Sequence, residues 1–128
     1  MSYDEIQDDT TIPDNERLWR RVFPSAIHTD EETYERRAQS GAFRDYRGPL
    51  SVDIASLTTQ EASLAKRRDM CLAEFSAKAV RNAGCKIRRD PLPGDLAHAL
   101  IYGTHRNGGL SGREAQFIAR QSRIIPIN

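Results

Sequence analysis

The clearest alternation of apolar and polar positions runs through LSVDI, where Leu50, Val52 and Ile54 interleave with Ser51 and Asp53. A period of two predicts a half-buried strand, and Gly48-Pro49 punctuates its start. Residues 70–75 are apolar enough for a short buried strand, and CKIRR reads as another. AHALIYG is the best late strand, apolar at Ala97, Ala99, Leu100 and Ile101. DPLPGD before it is a turn, because Pro91 and Pro93 fix the backbone and remove donors. The tail RIIPIN adds an edge strand.

Helix starts are marked by caps. Thr58 followed by Glu61 spells a capping box that opens a helix through about Arg68. Ser76 caps AKAVRNAG, and Gly84 closes that helix in the left-handed conformation. Ser111 with Glu114 repeats the box before a last amphipathic helix, with Ala115, Ile118 and Ala119 inward.

The first half of the chain is harder to read. Leu18, Trp19, Val22 and Phe23 fall at helical spacing behind Asp14 as a cap, while a strand over residues 18–22 competes because Trp, Val and Phe favour strands. Pro24 ends the element either way. Residues 25–39 are polar and acidic and read as a loop, with a helical turn around 30–37. Residues 1–11 lack apolar periodicity and read as a flexible acidic arm. Short strands interleaved with helices too short for repeated crossovers indicate an α+β fold. The expected architecture is one compact domain over 12–128, with a short mixed sheet and three or four short helices.

Composition narrows the class. At 128 residues the chain is one domain long, with mean hydropathy −0.64 and no run approaching the 18 apolar residues of a membrane span. The N-terminus has no apolar segment of secretory type, and Cys71 and Cys85, in apolar company, read as buried thiols of a reducing compartment. A cytoplasmic protein is expected. Two Cys and the dispersed His28, His98 and His105 give no zinc spacing, so neither metal nor cofactor is expected.

The formal charge of +1 conceals an asymmetry. Residues 1–35 hold ten acids and three Arg, a net of −7, whereas residues 36–128 hold sixteen bases and eight acids, a net of +8. Sixteen of the nineteen bases are Arg, whose planar fork suits carboxylate and phosphate. Two stretches concentrate this chemistry. SGAFRDYRGPLSVD offers Arg44 and Arg47 as anion-binding forks beside Ser51 and Asp53. RRDPLPGDLAH sets Arg88 and Arg89 as further anion-binding candidates ahead of His98, the candidate acid or base if the protein is an enzyme. Arg67 and Arg68 are candidate partner-binding residues, although the helix dipole alone favours cations at that position. Gly108-Gly109 before Ser111 is a weak anion cue. For nucleic acid, Arg36-Arg37, Lys66-Arg67-Arg68 and Lys86 with Arg88-Arg89 supply charge, and Tyr34, Phe43, Tyr46 and Tyr102 supply stacking, without the spacing of a known module.

RLWRRV, AFRD with LSVDIA, FSAKAVR and DPLPGDLAHALIYG together resemble a set of small bacterial proteins, in a pattern covering most of residues 12–125. No activity is attached to that set, so the resemblance carries over no functional residue. A second likeness, to small ADP-ribosyltransferase-type domains, would pair Arg20 on an early strand with the polar LSVD strand and a late catalytic Glu. After residue 97 the only candidate is Glu114, inside an expected helix cap. With no catalytic constellation and a polarised charge, the sequence points to a bacterial accessory protein that binds a protein partner. The alternatives are a transferase or hydrolase acting on a nucleotide-like anion, with Arg44 or Arg88 on phosphate, and an RNA or single-stranded DNA binder.

Overall fold

A computed structural model describes residues 3–45, 47–65 and 67–126. Tyr46 and Lys66, both candidate nucleic-acid contacts, lie outside the described residues. The strands are β1 (Arg17–Val22), β2 (Ile27–Thr29), β3 (Arg36–Ala38), β4 (Leu50–Ile54), β5 (Cys71–Ser76), β6 (Lys86–Arg89), β7 (His98–Tyr102) and β8 (Arg123–Ile124). The α-helices are α1 (Gln60–Leu64), α2 (Ala77–Asn82) and α3 (Gly112–Gln121). Helices packed with an antiparallel sheet make this an α+β fold.

Six strands form one sheet in the order β6-β7-β4-β1-β5-β8, and β2 with β3 forms a separate hairpin. Every neighbouring pair in the large sheet is antiparallel, which corrects the expected mixed sheet. Parallel neighbours need a crossover of about a dozen residues or more. Here the helix between β5 and β6 carries the chain to the far edge instead of back beside its own strand.

One face of the sheet builds the core. Leu18, Leu50, Ile54, Phe75, Ile87 and Ile101 are almost fully buried there with Val80 of α2 and Ile118 of α3. The rings of Phe43 and Phe75 meet edge to face, with centroids 5.4 Å apart. α2 and α3 are capped as expected. Ser76 Oγ accepts from Ala79 N–H, and Ser111 and Glu114 complete the reciprocal box. Gly84, at φ +88°, turns the chain out of α2.

β1 is a strand, not the helix its spacing also allowed. Leu18 and Val22 enter the core and Trp19 is buried with the opposite face, so both faces of the element are covered. A helix would bury only one stripe, and each large apolar side chain left out would forfeit about 1.5–3 kcal/mol. Arg20 interrupts the inward row, which is why the alternation is hard to see. Residues 25–39 hold the β2–β3 hairpin rather than a loop with a helical turn. Its connection is made by Asp30, whose carboxylate accepts the amides of Glu32 and Thr33. Thr59, not Thr58, caps α1 by accepting from Ala62 N–H, and the helix stops at Leu64 rather than near Arg68.

The segment expected as a flexible arm is laid against β6 and α2. Ile6 and Ile12 are buried, and Asp9 N–H donates to the Ile87 carbonyl. Asp8 accepts from Ile87 N–H, while Lys86 donates to the carbonyls of Tyr3 and Ile6. Arg81 grips the same segment through Asp8, Asp14 and the carbonyls of Asp9 and Ile12. Part of the acidic half of the chain is thereby matched to part of the basic half.

Candidate ligand cleft where two strands part

β1 pairs with β5 along all six of its residues, but with β4 only at Leu18–Ile54 and Trp19–Asp53. Beyond Trp19 the two strands separate. Arg20 occupies the break: its Nη1 donates to the Ser51 carbonyl at 3.0 Å and its Nε to the Ala42 carbonyl at 3.1 Å. A side chain has taken an acceptor of the strand that borders the break. Burial holds the Arg20 guanidinium below its ordinary pKa, with the charge of Asp45 acting the other way.

Two cavities adjoin at this break. The first, about 220 Å³, is lined by Trp19, Arg20, Arg21, Ser51, Asp53 and Arg67, among others. The second, about 270 Å³, shares Arg20, Arg21 and Met70 with it and adds Phe23 and Arg44. Arg44 and Arg67, expected from the sequence at separate sites, thus border one cleft. The Arg67 guanidinium lies 5.2 Å from the centroid of Phe23, which is half exposed.

Asp53 is the carboxylate of the cleft and is 4% exposed. Its Oδ2 accepts from Ser63 Oγ and, at 3.3 Å, from Arg21 Nη1. Arg21 Nη1 also donates to the Ser63 carbonyl at 3.0 Å, tying α1 to the sheet. Asp53 Oδ1 is buried and has no hydrogen-bond partner among the described residues. Such groups are rare, because an unpaired buried acceptor costs about 1–3 kcal/mol.

Asp53 belongs to a cross-strand row on the sheet face opposite the core. His98, Asp53, Trp19, Glu74 and Arg123 stand in register on five successive strands. Glu74 is well served there. It accepts from Trp19 Nε1 at 2.9 Å, Arg17 Nη1 at 2.7 Å and Arg123 Nη2 at 3.1 Å. Burial opposes its ionisation, but the hydrogen bonds from Trp19 and Arg123 and the charges of Arg17 and Arg123 outweigh it and hold its pKa below the ordinary value.

The other sequence candidates lie elsewhere. Arg88 donates to the Gln7 carbonyl, and Arg89 lies 3.5 Å from Asp9 and donates to Thr11. Both side chains are thus tied to the N-terminal segment and lie apart from the Asp53 cleft. Arg47 and Arg68 are exposed. His98 Nδ1 lies 3.0 Å from both the carbonyl and Oδ2 of Asp90, which fixes the ring beside the Asp53 strand. The helix start after Gly108-Gly109 is occupied by its own cap. Glu114 accepts from Ser111 N–H, Thr104 N–H and Thr104 Oγ1, so this acid clamps two loops together. Cys71 and Cys85 are buried free thiols, and burial pushes Cys85 up to about 12.

Sequence reasoning missed Trp19, Arg21 and Ser63 as cleft residues, and reached Arg20 only through a resemblance. The available signal was three arginines within the six residues of RLWRRV, an expensive composition for a buried strand unless the charges serve something. The chain matches no family model, no curated protein and no solved structure.

Proposed function

We propose that this chain works by binding, as a small cytoplasmic accessory protein whose cleft takes an acidic group presented by a protein partner. The observation that carries this reading is the convergence of Arg20, Arg21, Arg44 and Arg67 on two adjoining cavities that hold one carboxylate, Asp53. An anion entering between them meets charge-assisted donors, each worth about 1.5–3 kcal/mol when desolvated. Phe23 and Met70 on the rim add apolar surface of the kind a protein partner covers.

The experiment is native mass spectrometry of untagged protein purified gently from its host, repeated with Arg67→Glu. Arg67 is half exposed and pairs with Asp69, so its reversal leaves the fold intact. The wild type is expected to retain a partner of definite mass, and the variant to bind it at least about tenfold more weakly in low salt. Equal retention by both proteins would reject the cleft as the contact. A retained small anion would assign the same cleft to a metabolite rather than a protein.

A further inference from the structure

Building on the binding reading above, we propose that the acidic group taken by the cleft is a carboxylate with an N–H beside it, an α-amido or α-amino carboxylate. Asp53, in the wall of the cleft, keeps its Oδ1 buried without a hydrogen bond among the described residues. The neighbouring donors are committed elsewhere. Ser63 Oγ and Arg21 Nη1 both serve Oδ2, Trp19 Nε1 serves Glu74, and His98 Nδ1 serves Asp90. A ligand donor therefore removes a standing penalty at Oδ1, whereas a ligand without one leaves it in place.

The cations sit beside that acceptor. Arg21 Nη1 is 3.3 Å from Asp53 Oδ2, and Arg67 lines the same cavity. The wall of the cleft thus sets a cation beside a buried carboxylate oxygen that lacks a hydrogen bond among the described residues. An α-carboxylate and its own N–H present the complementary pair, separated by one carbon. Inorganic phosphate carries its O–H donor on the anionic group itself and brings a larger negative charge toward Asp53, so the same arrangement selects against it. Size agrees: about 220 Å³ suits one amino-acid residue and falls below the roughly 300–1,000 Å³ of pockets for larger ligands. The carboxyl-terminal residue of a polypeptide and a free amino acid both carry this chemistry.

The test is a ¹H–¹⁵N NMR titration of the full chain, read at the indole N–H of its single Trp19 and at the amides of Asp53 and Ser63. The probes are N-acetylalanine, alanine, N-acetyl-N-methylalanine, N-acetylalaninamide and inorganic phosphate. N-acetylalanine or alanine is expected to bind at about millimolar strength and at least about tenfold tighter than the N-methyl compound, the loss of one donor to a buried acceptor. Tighter binding of N-acetylalanine identifies a chain terminus as the source, and tighter binding of alanine a free amino acid. Asp53→Asn is expected to bring the N–H to N-methyl ratio to about one. Equal binding of the N–H and N-methyl compounds to the wild type, or stronger binding of phosphate, overturns this inference while leaving an anion cleft. Equal binding of the amide overturns the anion cleft as well. Absence of binding by every probe overturns the inference, and the partner experiment with Arg67→Glu then judges the cleft separately.

Discussion

Arg81, on α2 against the N-terminal segment, and Asp53, where β1 leaves β4, are both charges withdrawn from water. Arg81 has every arm engaged: Asp8 at 3.0 Å, Asp14 at 2.7 Å and the carbonyls of Asp9 and Ile12. Burial works against its charge, and the hydrogen bonds to Asp14 and Asp8 more than offset this, raising its pKa. Asp53 is buried more deeply, yet one of its oxygens has no hydrogen bond among the described residues. A saturated charge describes a fastening whose work is finished when the chain folds. A half-saturated one is what the proposed ligand would complete.

This contrast breaks first at Arg81. Arg81→Ala strands two carboxylates and two carbonyls and is expected to cost about 2 kcal/mol in urea unfolding. It should also release residues 3–14 to limited proteolysis. A loss below about 0.5 kcal/mol would mean that the segment is held by Ile6 and Ile12 alone. Asp53→Asn comes next. The amide oxygen still serves Ser63 and Arg21, so the expected cost is within about 1 kcal/mol. A cost equal to that of Arg81→Ala would make Asp53 a structural charge and dissolve the distinction.

Glu74 sharpens the comparison from the acid side, as a carboxylate in the same row as Asp53 but fully partnered. Its folded pKa lies below the ordinary 4.5, so the unfolded chain binds the proton more readily. The stability it contributes is present above pH 4.5 and is lost as the pH falls through the lowered folded value. Glu74→Gln should therefore lower Tm near neutrality and flatten its decline below that pH. An acid limb as steep as that of the wild type would show that other carboxylates dominate the loss.

Much of the fold is legible in the sequence where local rules act alone. β4 announces itself by strict alternation, and α2 and α3 by Ser76, Ser111 and Glu114 at their caps. β1 is obscured because Arg20 points inward, which only the distant carbonyls of Ala42 and Ser51 make tolerable. The β2–β3 hairpin hides in polar residues whose partner strand, not their own apolarity, makes them extended. The docked N-terminal segment is invisible from residues 1–11, because its acids answer Arg81 and Arg89 from the far end of the chain. The cleft divides the same way. The sequence marks Arg44, Arg67 and Asp53 as candidates, but their meeting depends on β1 lying between β4 and β5, which is set by pairing at long range.

The fastening of residues 3–14 to α2 and β6 also dictates an order of events. Asp8, Asp9 and Asp14 are synthesised roughly seventy residues before the arginines and strand they answer. Closing so long a loop is entropically costly and is rewarded only once β6 has joined the sheet. Residues synthesised before their partners are thus among the last to find their places. Until then, they hold their negative charge in water, keeping the emerging chain apart from its neighbours.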